Sequence, residues 1–216
     1  MSQSIYKILF WSGQVYHFPL LFIYFITYRH FNKAFKTLTY LAIVSALCDL
    51  CCYYLARQHR NTHPIFHIYN VFEAALLCLF YLQVLQRKLF KKMVYVGAVI
   101  IFLSIIISFF EPGAIYKVND LVSFIQCLIL TIFAMLYFIQ MLDLLEEPSL
   151  SQSPMFWMNA GILIYSALPS LMFLFYRIDQ HDAVKRIYSW MIFMCCSTIF
   201  YTFQFISVWK YRKKHL

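Results

Sequence analysis

The chain has 216 residues, of which 62% are hydrophobic and only 12% charged, with a formal net charge of +9. Soluble domains carry about a quarter charged residues, so this composition excludes an ordinary water-soluble fold and requires a second apolar solvent, the bilayer. The basic excess lies in short clusters between apolar stretches, which fits membrane orientation and contact with anionic headgroups and excludes nucleic acid as a partner.

A bilayer core of about 30 Å needs about 20 apolar residues per helix. Seven stretches qualify, and the predicted fold is all-α: one transmembrane domain, 1–216, built as a bundle of seven helices. The first span, 8–28, holds no charged side chain apart from a protonatable His17. No A-x-A cleavage pattern follows it, so a cleaved signal peptide is not expected. The second span, 37–56, holds Asp49, and the third, 64–86, holds His67 and Glu73. The fourth, 93–110, is uncharged, and the fifth, 121–142, lies between Asp120 and Asp143. The sixth and seventh, 155–176 and 187–209, are uncharged.

Lys and Arg in the short loops set the orientation. With the N-terminus outside, 11 of the 18 basic residues fall in segments 29–36, 87–92, 143–154 and 210–216, on the cytoplasmic side. The run "KYRKKHL" is the strongest anchor and "EEPSLSQSP" reads as a polar linker. The expected placement is therefore N-out and C-in, in a bacterial inner membrane. Loops of about a dozen residues or fewer leave no room for a soluble catalytic or nucleotide-binding domain.

Acids inside spans are costly, roughly 2.5 to 3.5 kcal/mol at a helix centre, and tend to face the bundle and mark a site. At 1.5 Å per residue, His17 and Glu73 each lie about 14 Å below the starts of their spans. Asn70 lies about 9 Å down, Gln126 about 8 Å, and Asp49 about 11 Å from the end of its span that faces the same side. Five polar groups on four helices thus share one half of the bilayer, the outer half in the expected orientation. His67, Asn70 and Glu73 step by three along one side of the third span, with Tyr69 beside them. Ala74 and Ala75 leave room for a neighbouring helix. Pro19 and Pro169, at a similar level, each free a backbone carbonyl. A small polar pocket for a ligand or ion is the reading this supports. The plainer reading is a set of helix-locking hydrogen bonds.

Other motifs carry less. "CDLCC" at 48–52 contains a C-x-x-C but no partner pair in a loop, and reads as packing. "HRNTHPIFH" spaces His59, His63 and His67 by four, but Pro64 is expected to begin the helix and split the set, so no metal site is expected. The late zinc histidines of the ceramidase and adiponectin-receptor type are missing from the seventh span, as is a retinal-binding Lys. No cofactor is expected.

"IYNVFEAALLCLFY" and "FWMNAGILIYSALPSLMFLFY" together resemble an uncharacterised group of seven-span membrane proteins of Bacteroidetes-type bacteria. Tyr69, Asn70 and Glu73 match that group's third-span pattern. Phe156, Trp157, Asn159, Gly161 and Tyr165 match its sixth-span pattern. The seventh span departs, with "YSWMIFMCCS" in place of a Trp-x-x-His-x-x-x-Asn arrangement. The resemblance implies a membrane module associated with sensor histidine kinases. The leading expectation is a non-enzymatic sensory or signal-relay module with a kinase-like partner and an unidentified small ligand. The alternative is a small carrier using Asp49 and Glu73 for protons or cations, with a membrane enzyme third.

Overall fold

A computed structural model describes residues 17–144, 150–178 and 183–215. Its secondary structure there is entirely helical: α1 (17–27), α2 (Lys33–Arg57), α3 (His63–Val84), α4 (Lys88–Ser108), α5 (Asp120–Leu144), α6 (Pro154–Ile178) and α7 (Ala183–His215), with three short 3₁₀ turns. Six of these, α2 to α7, are long and apolar enough to cross a membrane, as a multi-pass helical membrane protein requires. The expected first span begins at residue 8, and its portion 8–16 lies outside the described residues.

Local chemistry sets the helix ends. Asn32 caps α2, its side chain accepting from the Phe35 amide at 3.0 Å. Pro64 occupies the first turn of α3, where its missing N–H costs nothing. The α3–α4 turn is held by one buried side chain, Gln140 of α5. Its Oε1 accepts from the Gln86 amide at 2.7 Å, and its Nε2 donates to the Val84 carbonyl at 3.2 Å. Gly113 takes a left-handed conformation, φ 71°, in the α4–α5 connection.

Burial divides each helix into two faces. Phe18, Phe22 and Phe25 on α1, and Tyr95, Val99, Leu103 and Ile106 on α4, are largely exposed. Aromatic and branched apolar faces of this extent have their natural solvent in lipid. The inner faces pack α2 on α3, α3 on α4 and α5, α5 on α6 and α6 on α7. Two close approaches depend on glycine. A Cβ at Gly97 would meet the Phe133 ring at 2.6 Å, and one at Gly161 would meet Phe203 Cβ at 2.9 Å.

Hydrogen bonds tie α7 back to α1 and α2. Tyr24 on α1 donates to Gln204 on α7 at 3.1 Å, and Ser45 on α2 meets the Tyr201 hydroxyl at 3.0 Å. At the far end of α7, Tyr211 donates to the His30 carbonyl and accepts from the Asn32 amide. Phe31 and Phe35 pack against the Tyr211 ring there. The bundle is thus closed on itself, and its two interior carboxyl groups, Asp49 and Glu73, lie toward the end that carries the α2–α3 and α4–α5 connections.

Candidate functional site

A cavity of about 480 Å³ opens between α2, α3, α5, α6 and α7, within the range of small-molecule sites. Its mouth is formed by Thr62, His63, Lys117 and Asn119, next to or within the α2–α3 and α4–α5 connections. Of the seven candidate residues, six line it: Asp49, His67, Tyr69, Asn70, Glu73 and Gln126. His17 stands behind the wall.

Glu73 is the centre of the polar floor. It is 5% exposed although it sits among apolar neighbours. Its Oε1 accepts from the Tyr69 hydroxyl at 2.9 Å, one helical turn back, and from the Tyr165 hydroxyl on α6 at 2.8 Å. Its Oε2 accepts from Gln126 Nε2 on α5 at 2.8 Å. Three donors from three helices therefore converge on one carboxyl group. Gln126 is 2% exposed, and its Oε1 has no hydrogen-bond partner among the described residues. A buried acceptor without a donor costs about 1–3 kcal/mol.

Asp49 faces the cavity from α2. The His17 ring nitrogen Nε2 lies 3.6 Å from its Oδ2 and 3.2 Å from Ser45 Oγ. His17 also packs edge-on against Tyr201, with ring centroids 4.5 Å apart. It thus joins α1 to the back of the cavity wall and orients Asp49 and Ser45.

His67 has a structural task. Its Nε2 lies 3.1 and 3.2 Å from the carbonyls of Ala114 and Lys117, and Asn119 Nδ2 lies 3.3 Å from its Nδ1. Carbonyls only accept, so Nε2 is the donor and Nδ1 the acceptor. Both nitrogens are spent on fastening the α4–α5 connection over the mouth. Asn70 reaches Ser123 on α5 at 3.4 Å.

The floor is closed below Glu73. One turn deeper on α3, α5 and α6 lie Leu77, Leu130 and Ile162, each at most 1% exposed. Beneath them Tyr81 donates to Asn159 at 2.9 Å, and Asn159 donates to the Ala134 carbonyl at 2.9 Å. A second cavity, about 880 Å³, lies at the opposite end and is lined by Lys33, Lys91, Lys214 and Gln140 among others.

Several contributors carried no signal of their own in the sequence. Ser45 and Tyr201 line the cavity, but hydroxyls are tolerated inside spans and do not stand out as acids do. Tyr165 was visible only as part of the sixth-span pattern, and it proves to be the partner of the third-span glutamate. Pro169 lies within α6 and leaves the Tyr165 carbonyl without its helical donor. Ala74 is fully buried as expected, whereas Ala75 is exposed. Cys48 is buried and Cys51 exposed, so the C-x-x-C pair points to two different faces, and the cysteines are free thiols. Among the described residues no three His, Cys, Asp or Glu side chains come together to hold a metal ion.

Comparison with known proteins finds no matching family model, no similar curated protein and no similar solved structure. The functional reading therefore rests on the cavity.

Proposed function

We propose that this chain is a membrane-embedded sensory module that binds a small ligand in the 480 Å³ cavity and relays occupancy to a partner at the opposite membrane face. The reading includes seven spans, an outside N-terminus and residence in a bacterial inner membrane, which makes the cavity mouth extracytoplasmic. It also includes the kinship with seven-span modules of sensor histidine kinases, and a kinase-like partner on the cytoplasmic side. One observation carries it: α7 is both a wall of the cavity and a rod to the other face. Phe193, Ser197 and Tyr201 line the cavity. The same helix, 33 residues or about 50 Å long, continues past Tyr211 to Arg212, Lys213 and Lys214. A ligand that moves Tyr201 therefore acts on the basic end through one rigid element.

The second cavity favours a carrier as the second reading, because two cavities separated by a packed layer are also what alternating access needs. Reconstitution separates them. The purified chain in sealed liposomes is expected to bind a solute, read as thermal stabilisation in a panel of amines, carboxylates, sugars and alcohols, with no flux of that solute. Protein-dependent flux would replace sensing by transport. A panel that stabilises nowhere, with a cavity closed to thiol reagents, would remove the binding reading altogether.

A further inference from the structure

Resting on the reading of the cavity as a ligand site, we infer that its ligand is a small organic cation, a protonated amine with an apolar body, whose ammonium group seats at Glu73 and Gln126. The described lining offers two carboxyl groups, Asp49 and Glu73. Their α-carbons lie about 12 Å and 15 Å along α2 and α3 from the helix ends at the mouth, so both sit at one level. The described lining includes one Lys or Arg, Lys117, an exposed residue at the rim whose carbonyl is turned to His67. The described lining thus carries two carboxyl groups and no Lys or Arg inside the rim. The His17 imidazole, 3.6 Å from Asp49, stands behind the wall and is none of the three donors to Glu73.

The hydrogen-bond inventory points the same way. Glu73 accepts three bonds, which leaves one of about four carboxylate acceptor positions open. Gln126 Oε1 is a second acceptor, buried and without a donor among the described residues. Two open acceptors on adjacent side chains suit a group with several donors and no acceptor. An ammonium supplies three donors and no acceptor. An anion or an ether would leave the Gln126 oxygen unmet. Phe66, Phe173, Phe193, Met172 and Met194 make part of the remaining wall aromatic and thioether, between hydroxyl and thiol side chains. Aromatic faces attract cations, and this wall suits a hydrocarbon body. The cavity is far larger than one bare ion, so the apolar body is part of the ligand.

The test uses three probes of one shape, benzylamine, benzyl alcohol and benzoate, on the full chain in nanodiscs. At ten times its Kd, benzylamine is expected to raise Tm by about 3–6 °C, with benzoate inert and benzyl alcohol at least about tenfold weaker. Glu73→Gln keeps shape and hydrogen bonding and is expected to weaken benzylamine about tenfold or more while sparing benzyl alcohol. If Glu73→Gln does not fold, Asp49→Asn provides the same comparison, with a smaller loss expected. Benzyl alcohol or benzoate binding as well as benzylamine would overturn the cation and leave the ligand site standing. Silence from all three probes overturns the cation. In that case, reaction of Cys52 with a charged thiol reagent keeps the cavity, and an inert Cys52 removes it too.

Discussion

Gly161→Ala offers a perturbation whose size follows from the geometry. The new methyl would lie 2.9 Å from Phe203 Cβ and 3.2 Å from Phe200 Cδ2, against an ordinary carbon contact of about 3.5–4.0 Å. Phe203 Cβ is fixed to the α7 backbone, so no rotamer change relieves the clash. Helix α7 has to retreat by about 0.6 Å or more. Overpacking of this kind costs about 1–3 kcal/mol, which for a chain of this length lowers Tm by several degrees. The same retreat carries Phe200 away from Tyr165, on which it stacks at 4.8 Å, and Tyr165 is one of the donors to Glu73. Gly161→Ala is therefore expected to lose both stability and cavity binding. Gly97→Ala is the internal control. Its methyl would meet the tips of Phe133 and Ile129, which can turn, and none of the three residues lines the cavity. It is expected to lose stability alone. Thermal unfolding with and without benzylamine reads both effects. A Gly161→Ala variant with unchanged Tm, or a Gly97→Ala variant that weakens binding equally, would refute the close approach of α6 and α7 as the support of the site.

A reporter fused after Leu216 is expected to behave as cytoplasmic, and a periplasmic signal would overturn the span count or the orientation. Gln140→Leu removes the acceptor for the Gln86 amide and the donor to Val84. It is expected to cost about 1–3 kcal/mol in unfolding experiments, without loss of ligand binding. Cys51→Ser, on the exposed face of α2, should leave folding and binding unchanged, which thermal unfolding with and without benzylamine would verify. A folded variant that no longer binds would revive a functional role for Cys48 and Cys51.

The spans were legible because apolar length is a strong signal, and α2 to α7 contain the expected segments almost entirely. Glu73 and Asp49 were legible because charge in a span is costly, and Gln126 and Asn70 because they share that depth. What the sequence left open was partnership. Residue spacing places Tyr69 one turn from Glu73, but it cannot reveal that Tyr165, 92 positions away, completes the same site. Nor could it show that His67 is consumed by carbonyls of the α4–α5 connection, since those contacts depend on where that connection folds back.

Ligand binding needs a cavity open beside Glu73, and neighbouring cysteines at one end of α2 report on it. Cys52 lines the cavity, whereas Cys51 lies on the apolar outer face. A charged, membrane-impermeant methanethiosulfonate reagent applied to the chain in nanodiscs, followed by peptide mass spectrometry, compares them directly. Modification of Cys52 with Cys51 spared is the predicted result. Cys52 unmodified, or no more reactive than Cys51, would contradict the cavity.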